Sequence, residues 1–182
     1  MELDSLEVEV GLPFGIGRIS GTWTPDTAER NAAWEMYVEL LTRVSVADLA
    51  PEEGLLREAL TSLHSLFDST RAILRTYGPS VATANEGGVV TFGYLAVAIL
   101  NGGLRPLLSK WHPLLVDHEE RRPADMSSVD WERGWEKADE LRAELDEVRK
   151  LLTTYAGILG EVCGAKQLLS AVEFRPSTLS AD

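Results

Sequence analysis

The chain has 182 residues, of which 45% are hydrophobic and 25% are charged, and its formal net charge is −12. A chain of this length can bury one substantial core, so we expect a single domain spanning residues 1–182. The acidic balance removes the electrostatic attraction on which general nucleic-acid binding depends, and we expect no nucleic-acid partner.

Residues 1–22 are predicted to form a small β-hairpin or an extended segment. From Leu6 to Val10 apolar and acidic residues alternate, which is typical of a strand with one face on a core and the other in water. After GLPFG, the stretch from Ile16 to Ser20 can return as its partner. A hairpin is marginally stable alone, so it must pack on the helices or on a second chain. The acidic N-terminus lacks the features of a secretory signal, and we expect no export.

Two amphipathic helices are predicted next, at residues 25–46 and 51–77. Thr24 is a good N-cap for the first helix, and Asp26 suits the positive end of its dipole. In the second helix, apolar residues repeat at alternating spacings of four and three, and Gly78 followed by proline ends the pattern. Small and polar residues then predict a loop over 79–88.

The third helix is predicted at residues 89–119. Its first part, VVTFGYLAVAIL, is shorter than the roughly 20 residues that cross a bilayer, so we expect a buried helix and no membrane partner. The stretch LNGGLRPLLSKWHPLL, residues 100–115, keeps helical periodicity past Pro106 and Pro113, which lie opposite its apolar face. Because each proline removes a helical hydrogen bond, we expect a fixed bend at Gly102 to Pro106.

The fourth helix is predicted at residues 128–163 and carries the clearest heptad repeat. Its apolar positions are Ala138, Leu141, Leu145, Val148, Leu152, Tyr155, Leu159 and Val162. Four such helices predict a mainly α fold, an antiparallel four-helix bundle with a bent third helix and the small N-terminal hairpin. Residues 172–182 lose this periodicity and are predicted to form a frayed tail. Cys163 is the single cysteine, which is typical of a reducing cytoplasm.

Two polar patches are candidate binding sites. The first follows one flank of the second helix and consists of Arg57, His64, Arg71 and Arg75. The second projects from the third helix at spacings of four and three and consists of Arg105, Ser109 and His112. Arginine side chains at such sites favour an anion such as phosphate, or an acidic partner segment. The alternative is a set of weak surface ion pairs on the second helix and a hydrated bend on the third.

No pattern indicates catalysis, a metal or a cofactor. Glu35 and Glu39 lie opposite the apolar stripe of their helix and are expected to face solvent, and no Glu-x-x-His pair accompanies them. His112 and His118 are six residues apart and point in different directions. The sequence contains no nucleophile elbow, phosphate-binding loop or dinucleotide fingerprint. We therefore predict no catalytic residue, no metal site and no cofactor.

The chain contains five tryptophans, and the sequence favours packing or interface roles for them. Trp131 and Trp135 are predicted to share a helix face just before the heptad repeat, and Trp111 falls on the apolar face of the third helix. Tryptophan at such positions closes the end of a core or anchors a protein interface. These three residues are therefore candidate interface anchors.

Four blocks of sequence together resemble a group of uncharacterised bacterial helical proteins, many from actinomycete-type genomes. The blocks are AAWEMYVELLTRV at 32–44, EGLLREALTSLHSLFDSTRAILRTYGPSVA at 53–82, FGYLAVAILNGGLRPLLSKWHPLL at 92–115 and WERGWEKADELRAELDEVRKLLTTYA at 131–156. Members of this group are loosely associated with bacterial conflict or defence loci. The resemblance implies a helical fold and a multi-protein context, and it supplies no activity and no site residue.

Three functions remain open from the sequence. The leading prediction is a cytoplasmic helical-bundle module that binds another protein or itself, as a component of a defence-type assembly. The first alternative is a small-molecule or anion sensor that uses the basic flank of the second helix with Arg105, Ser109 and His112. The second alternative is an enzyme of unrecognised type, although the absence of catalytic motifs favours a protein that is not an enzyme.

Overall fold

The computed structural model describes residues 4–43, 53–84 and 88–172. Within these ranges the protein is mainly helical, with six α-helices after an N-terminal antiparallel hairpin. The strands are β1 (Leu6–Leu12) and β2 (Gly17–Trp23). The helices are α1 (Thr27–Leu41), α2 (Leu56–Tyr77), α3 (Phe92–Ile99), α4 (Arg105–Glu120), α5 (Ser128–Arg133) and α6 (Ala138–Val162). A π-helical turn (Leu100–Leu104) joins α3 to α4, and 3-10 segments follow α2 (Gly78–Val81) and α6 (Lys166–Ala171).

The predicted hairpin is confirmed. Val8 pairs with Gly21 and Val10 pairs with Ile19 in an antiparallel register. Val8 and Val10 are buried, whereas the alternating Glu7 is exposed. The buried face of β1 packs on α6, which supplies the support that a two-stranded sheet requires.

The first helix begins two residues later than predicted. Asp26, rather than Thr24, is the N-cap of α1, because its side chain accepts the N–H of Glu29 at 2.9 Å. The Glu29 carboxylate accepts the Asp26 N–H at 3.3 Å in return, which completes a capping box. The helix ends at Leu41, and residues 44–46 of the prediction lie outside the described ranges.

The start of the second helix was also predicted too early. Gly54 has a φ of +68°, a left-handed conformation that ends any helix beginning at residue 51, and α2 starts at Leu56. The predicted end is confirmed, because Gly78 follows Tyr77 directly with a φ of +66°. A 3-10 turn occupies the beginning of the predicted loop at 79–88, and residues 85–87 lie outside the described ranges.

The predicted third helix changes helical type where the bend was expected. Residues 89–91 precede the helix, which starts at Phe92, and the π-helical turn runs through Gly102 and Gly103. A β-carbon on Gly102 would lie 2.7 Å from a Leu12 methyl group, and one on Gly103 would lie 2.3 Å from a Leu151 methyl group. The two glycines therefore allow the hairpin and α6 to approach the turn closely, a role that the sequence did not indicate.

The prediction of one fourth helix over 128–163 is wrong, because the chain leaves the helix between α5 and α6. The Glu132 carboxylate on α5 is buried and accepts the N–H groups of Leu56 at 2.8 Å and Arg57 at 3.4 Å. Glu132 thereby satisfies the free N–H groups at the start of α2, and the break orients α5 for this contact. In α6 the heptad repeat is confirmed, since its apolar residues are buried except for half-buried Leu145.

The contacts between α1 and α2 show that these helices run antiparallel. The Tyr77 hydroxyl at the end of α2 donates to Glu35 in α1 at 2.6 Å. Arg43, just beyond the C-terminal end of α1, donates to Ser69 at 2.8 Å and also bonds to Ser65. The contacts thus move toward the start of α2 as α1 proceeds. Within the described ranges, none of the helices combines the length and apolar character needed to cross a bilayer.

Candidate functional site

Three pairs of polar residues lie at matching levels of α2 and α4, the first two in direct contact and the third through a shared contact with Phe67. The pairs are Arg57 with Glu119, His64 with His112, and Arg71 with Arg105. Successive members are seven residues apart on each helix, or about two turns, so they lie on one face. Their order also shows that α2 and α4 are antiparallel. We call these six residues the α2–α4 polar seam.

The first pair of the seam is an ion pair. The Arg57 guanidinium donates from Nε to Glu119 at 2.9 Å and from Nη2 at 2.6 Å, and both side chains are partly buried. This two-point arrangement is the strong form of an arginine–carboxylate contact. Arg57 is therefore neutralised within the protein, and the anion-binding role predicted for it is not favoured.

The other two pairs bring together the two patches that the sequence presented separately. The rings of His64 and His112 are 6.5 Å apart between their centroids. The guanidinium carbons of Arg71 and Arg105 lie 6.0 Å and 5.2 Å from the centre of the same Phe67 ring. Imidazole and guanidinium groups from both helices thus form one cluster, which the pairing of α2 with α4 creates.

The two arginines of this cluster differ in their polar partners. Arg71 forms an exposed ion pair with Asp68 at 2.6 Å. Arg105 donates from Nε to the amide oxygen of Asn101 at 2.8 Å, so its contact in the described part of the chain is with a neutral group. The ion pair predicted for the flank of the second helix is therefore present at Arg71, while Arg105 keeps its full positive charge.

Two predicted site residues are not joined to the cluster. Arg75 is exposed near the end of α2, and Ser109 is exposed on α4. In the ranges that the structure describes, no hydrogen bond or ion pair connects either side chain to the polar seam. Likewise, no group of three histidine, cysteine or acidic side chains in those ranges is arranged to hold a metal ion.

His118 lies apart from the other histidines and stacks between two tryptophans. Its ring is 4.6 Å from that of Trp131 and 5.1 Å from that of Trp135. The Trp131 indole donates to the His118 carbonyl at 2.7 Å, and the His118 Nε2 is 2.9 Å from the Trp131 carbonyl oxygen. These contacts attach α5 to the end of α4, so they have a structural role.

The three tryptophans predicted as interface anchors differ in exposure. Trp111 is fully buried, with its indole N–H donated to Glu144 at 2.6 Å, and it belongs to the core. Its burial excludes contact with a partner at the surface. Trp131 and Trp135 are half-buried and line an open cleft of about 470 Å³ beside His118. Only these two remain accessible candidates.

A second surface lies between α1 and α2 and was not identified from the sequence. It is an open groove of about 550 Å³, which we call the α1–α2 groove. It is lined by Trp34, Glu35, Val38, Glu39, Asp68, Ser69, Ala72 and Ile73. Trp34 is 44% exposed and Val38 is 39% exposed, one helical turn apart. Both lie outside the apolar stripe of α1. Two apolar residues four apart on the polar side of a helix are the sequence signal that indicates this surface.

The acidic side chains of the groove are held in place by hydrogen bonds. Glu35 accepts the Tyr77 hydroxyl, and this hydrogen bond raises the pKa of Tyr77. Glu39 pairs with Arg43 and accepts the Ser69 hydroxyl at 2.8 Å. Burial acts to raise the pKa of Glu39, but the bonds from Arg43 and Ser69 outweigh it and lower that pKa. Glu39 therefore stays charged, although it is half-buried rather than solvent-facing as predicted.

Comparison with known proteins does not place the chain in a family. No family model matches it, and no curated protein or solved structure was found to be similar.

Proposed function

We propose that this protein is a helical protein–protein interaction module and that the α1–α2 groove is its docking surface. The observation that carries the proposal is the exposure of Trp34 and Val38 above this groove. A contiguous exposed apolar surface edged by polar groups is typical of an interaction site, and tryptophan is enriched among the residues that dominate binding energy.

The charge of the groove favours one kind of partner. Glu35, Glu39 and Asp68 surround the apolar side chains. Glu39 and Asp68 are paired with Arg43 and Arg71. Glu35 and the net charge of −12 of the whole chain therefore supply the negative potential. An amphipathic helix with apolar anchors and flanking lysine or arginine residues complements this arrangement. A second copy of the same acidic chain is disfavoured by charge repulsion. The proposed occupant is therefore a basic amphipathic helix of another protein.

The scaffold that supports the groove is proposed to be an antiparallel four-helix bundle. Its members would be α1, α2, the continuous segment from α3 to α4, and α6. The antiparallel contacts of α1 with α2 and of α2 with α4 support this arrangement. Two contacts to α6 also support it. Gly103 lies beside Leu151, and Trp111, further along the chain, bonds to Glu144, which comes earlier in α6, so α4 and α6 run antiparallel.

We also propose a cytoplasmic location and a place in a multi-protein bacterial assembly of the defence type. Cys163, the single cysteine, is a free thiol with no partner for an internal disulfide, which supports a reducing compartment. The resemblance to bacterial helical proteins associated with conflict loci supports the assembly. This proposal leaves the protein without an enzymatic role.

The groove can be tested by capturing partners from cells that express the protein natively. Wild-type protein, Val38→Glu and Val97→Glu serve as three baits, compared by quantitative mass spectrometry. Val38 and Val97 are both exposed helical valines, 39% and 45%, and Val97 lies on α3 outside the groove. We expect specific partners to be lost about tenfold or more with Val38→Glu and retained with Val97→Glu, since a charge in an apolar contact is costly.

Two results would count against this function. If Val38→Glu retains every partner that the wild-type protein captures, the groove is not the docking surface. If Val97→Glu removes the same partners, the loss reflects added negative charge rather than a specific contact. Circular dichroism of the three baits checks that each is folded.

A further inference from the structure

We propose that the histidine and arginine pairs of the α2–α4 polar seam bind an oligophosphate chain. Such a chain occurs in nucleoside triphosphates and in inorganic tripolyphosphate. The proposal does not depend on the α1–α2 groove. It rests on the convergence of His64, His112, Arg71 and Arg105 between two helices.

The positive charge of this cluster is incompletely balanced. The guanidinium carbons of Arg71 and Arg105 lie 6.0 Å and 5.2 Å from the centre of the Phe67 ring, so the ring and Asp68 stabilise two cations on one face. Asp68 is the one carboxylate paired with this cluster in the described part of the chain. An extended anion lying across this face would be attracted by both guanidinium groups.

The surrounding sequence is locally poor in acids, although the whole chain is acidic. Residues 59–77 contain one acidic residue, Asp68, and residues 100–116 contain none. At physiological ionic strength charges are screened beyond about 8 Å, so the acids elsewhere on the molecule repel a bound anion weakly. The local balance of positive and negative charge therefore determines which ions this surface attracts.

The spacing of the pairs favours a chain of phosphates over a single one. The histidine pair and the arginine pair are seven residues apart, which is about 10 Å along the helices. An orthophosphate ion reaches one pair, whereas linked phosphates present oxygens along that distance. Guanidinium groups bind phosphate oxygens through two parallel N–H bonds, and imidazole N–H groups are further donors. The two pairs thus act together only on an extended anion.

Calorimetric titration with inorganic tripolyphosphate in 0.15 M salt tests the proposal. We expect Arg71→Ala and Arg105→Ala each to weaken binding about tenfold, the effect of losing one charge-assisted contact. Arg121→Ala is the matched control, because Arg121 is an exposed arginine at the end of α4 that, like Arg71, pairs with an aspartate of its own helix. It should leave binding unchanged. Asp68→Asn removes the competing carboxylate and should strengthen binding about two- to fivefold.

Nuclear magnetic resonance of the histidine rings locates the site. Tripolyphosphate should shift the ring signals of His64 and His112 and leave those of His118 unchanged, because His118 is held between two tryptophans. Adenosine triphosphate should produce the same shifts if the phosphates supply the contacts. A higher affinity for the nucleotide would identify it as the source of the chain.

Four results would overturn the proposal. The first is no binding of either tripolyphosphate or adenosine triphosphate at millimolar concentration. The second is orthophosphate binding as tightly as tripolyphosphate, which would remove the need for two pairs. The third is a loss of tripolyphosphate affinity with Arg121→Ala as large as that with Arg71→Ala or Arg105→Ala, which would indicate non-specific electrostatic attraction. The fourth is binding of a hexaglutamate peptide through the same arginines without binding of tripolyphosphate, which would assign the surface to an acidic protein segment.

Discussion

At the scale of single residues, Glu29 connects three elements of the fold. Its buried carboxylate accepts the indole N–H of Trp23 at 3.0 Å and the backbone N–H of Phe92 at 2.9 Å. It also accepts the N–H of Asp26 in the capping box of α1. The hydrogen bonds lower the pKa of Glu29, but burial outweighs them and the pKa is raised.

This raised pKa predicts a pH dependence of stability. The folded protein binds the Glu29 proton more tightly than the unfolded chain, so the contribution of Glu29 to the free energy of unfolding is largest below pH 4.5. It declines as the pH rises from there through the folded pKa. Because glutamine does not titrate, the stability of wild type relative to Glu29→Gln should fall over this range. Urea unfolding of both proteins between pH 4 and pH 8 measures the difference.

The opposite slope would contradict this interpretation. A difference that rises with pH would mean that the three donors stabilise the carboxylate more than burial penalises it. A flat difference would mean that these effects cancel. Only a fall with rising pH agrees with burial as the dominant cause.

Single residues also show which features the sequence alone predicts and which it does not. The pair Asp26 and Glu29 has the spacing of a capping box, a sequence signal that indicates Asp26 rather than Thr24 as the cap. Trp111 and Trp34 mark a limit of such signals. Both are large and apolar, and their exposure, none for Trp111 and 44% for Trp34, depends on which helices pack against them. The helical pattern places Trp111 on an apolar face and Trp34 outside one, which agrees with these exposures, but it does not show that Trp34 borders a groove against α2.

At the scale of elements, the regular parts and the place of the irregularity between α3 and α4 were predictable, and the break before α6 was not. The hairpin, the end of α2 and the heptad repeat of α6 follow from local patterns, which the structure confirms. The break before α6 depends on Glu132 reaching the start of α2, a contact 76 residues away in sequence. The π-helical turn likewise accommodates β1 and α6. The glycines and prolines of residues 100–115 indicate an irregularity there, but its π-helical form and the break before α6 are matched to tertiary contacts that local propensity does not reveal.

Two glycines of α6 provide a matched test of packing at this scale. A β-carbon on Gly160 would lie 3.0 Å from the Cα of Lys166 and from the Tyr37 ring, both of which are rigid neighbours. At Gly157 the nearest atom is a Leu169 methyl group at 4.0 Å. We expect Gly160→Ala to lower the free energy of unfolding by about 1–3 kcal/mol through overpacking. Gly157→Ala should raise it by up to about 1 kcal/mol through helix propensity.

Thermal and urea unfolding of the two variants check this prediction under one buffer condition. An increase in stability with Gly160→Ala would show that the segment Lys166–Ala171 does not pack against α6 as described. A loss with Gly157→Ala would show that this glycine is closely covered.

At the scale of the whole molecule, helix pairing creates both candidate surfaces. The sequence placed His64 and His112 in separate patches, and the antiparallel register of α2 with α4 unites them. The α1–α2 groove arises in the same way, from residues 34–39 and 68–73. The residue types of the polar seam were therefore predictable, whereas their convergence and the groove required the relative position of the helices.

Site-specific photo-crosslinking tests whether the α1–α2 groove docks a basic amphipathic helix. A photoreactive amino acid replaces Val38 or, as the control, Val97 in cells that express the protein natively, and mass spectrometry identifies each adduct. We predict an adduct at position 38, absent at position 97, with a lysine- and arginine-rich helical segment of another protein. No adduct at position 38, equal adducts at both positions, or an adduct with a second copy of this chain would contradict the claim.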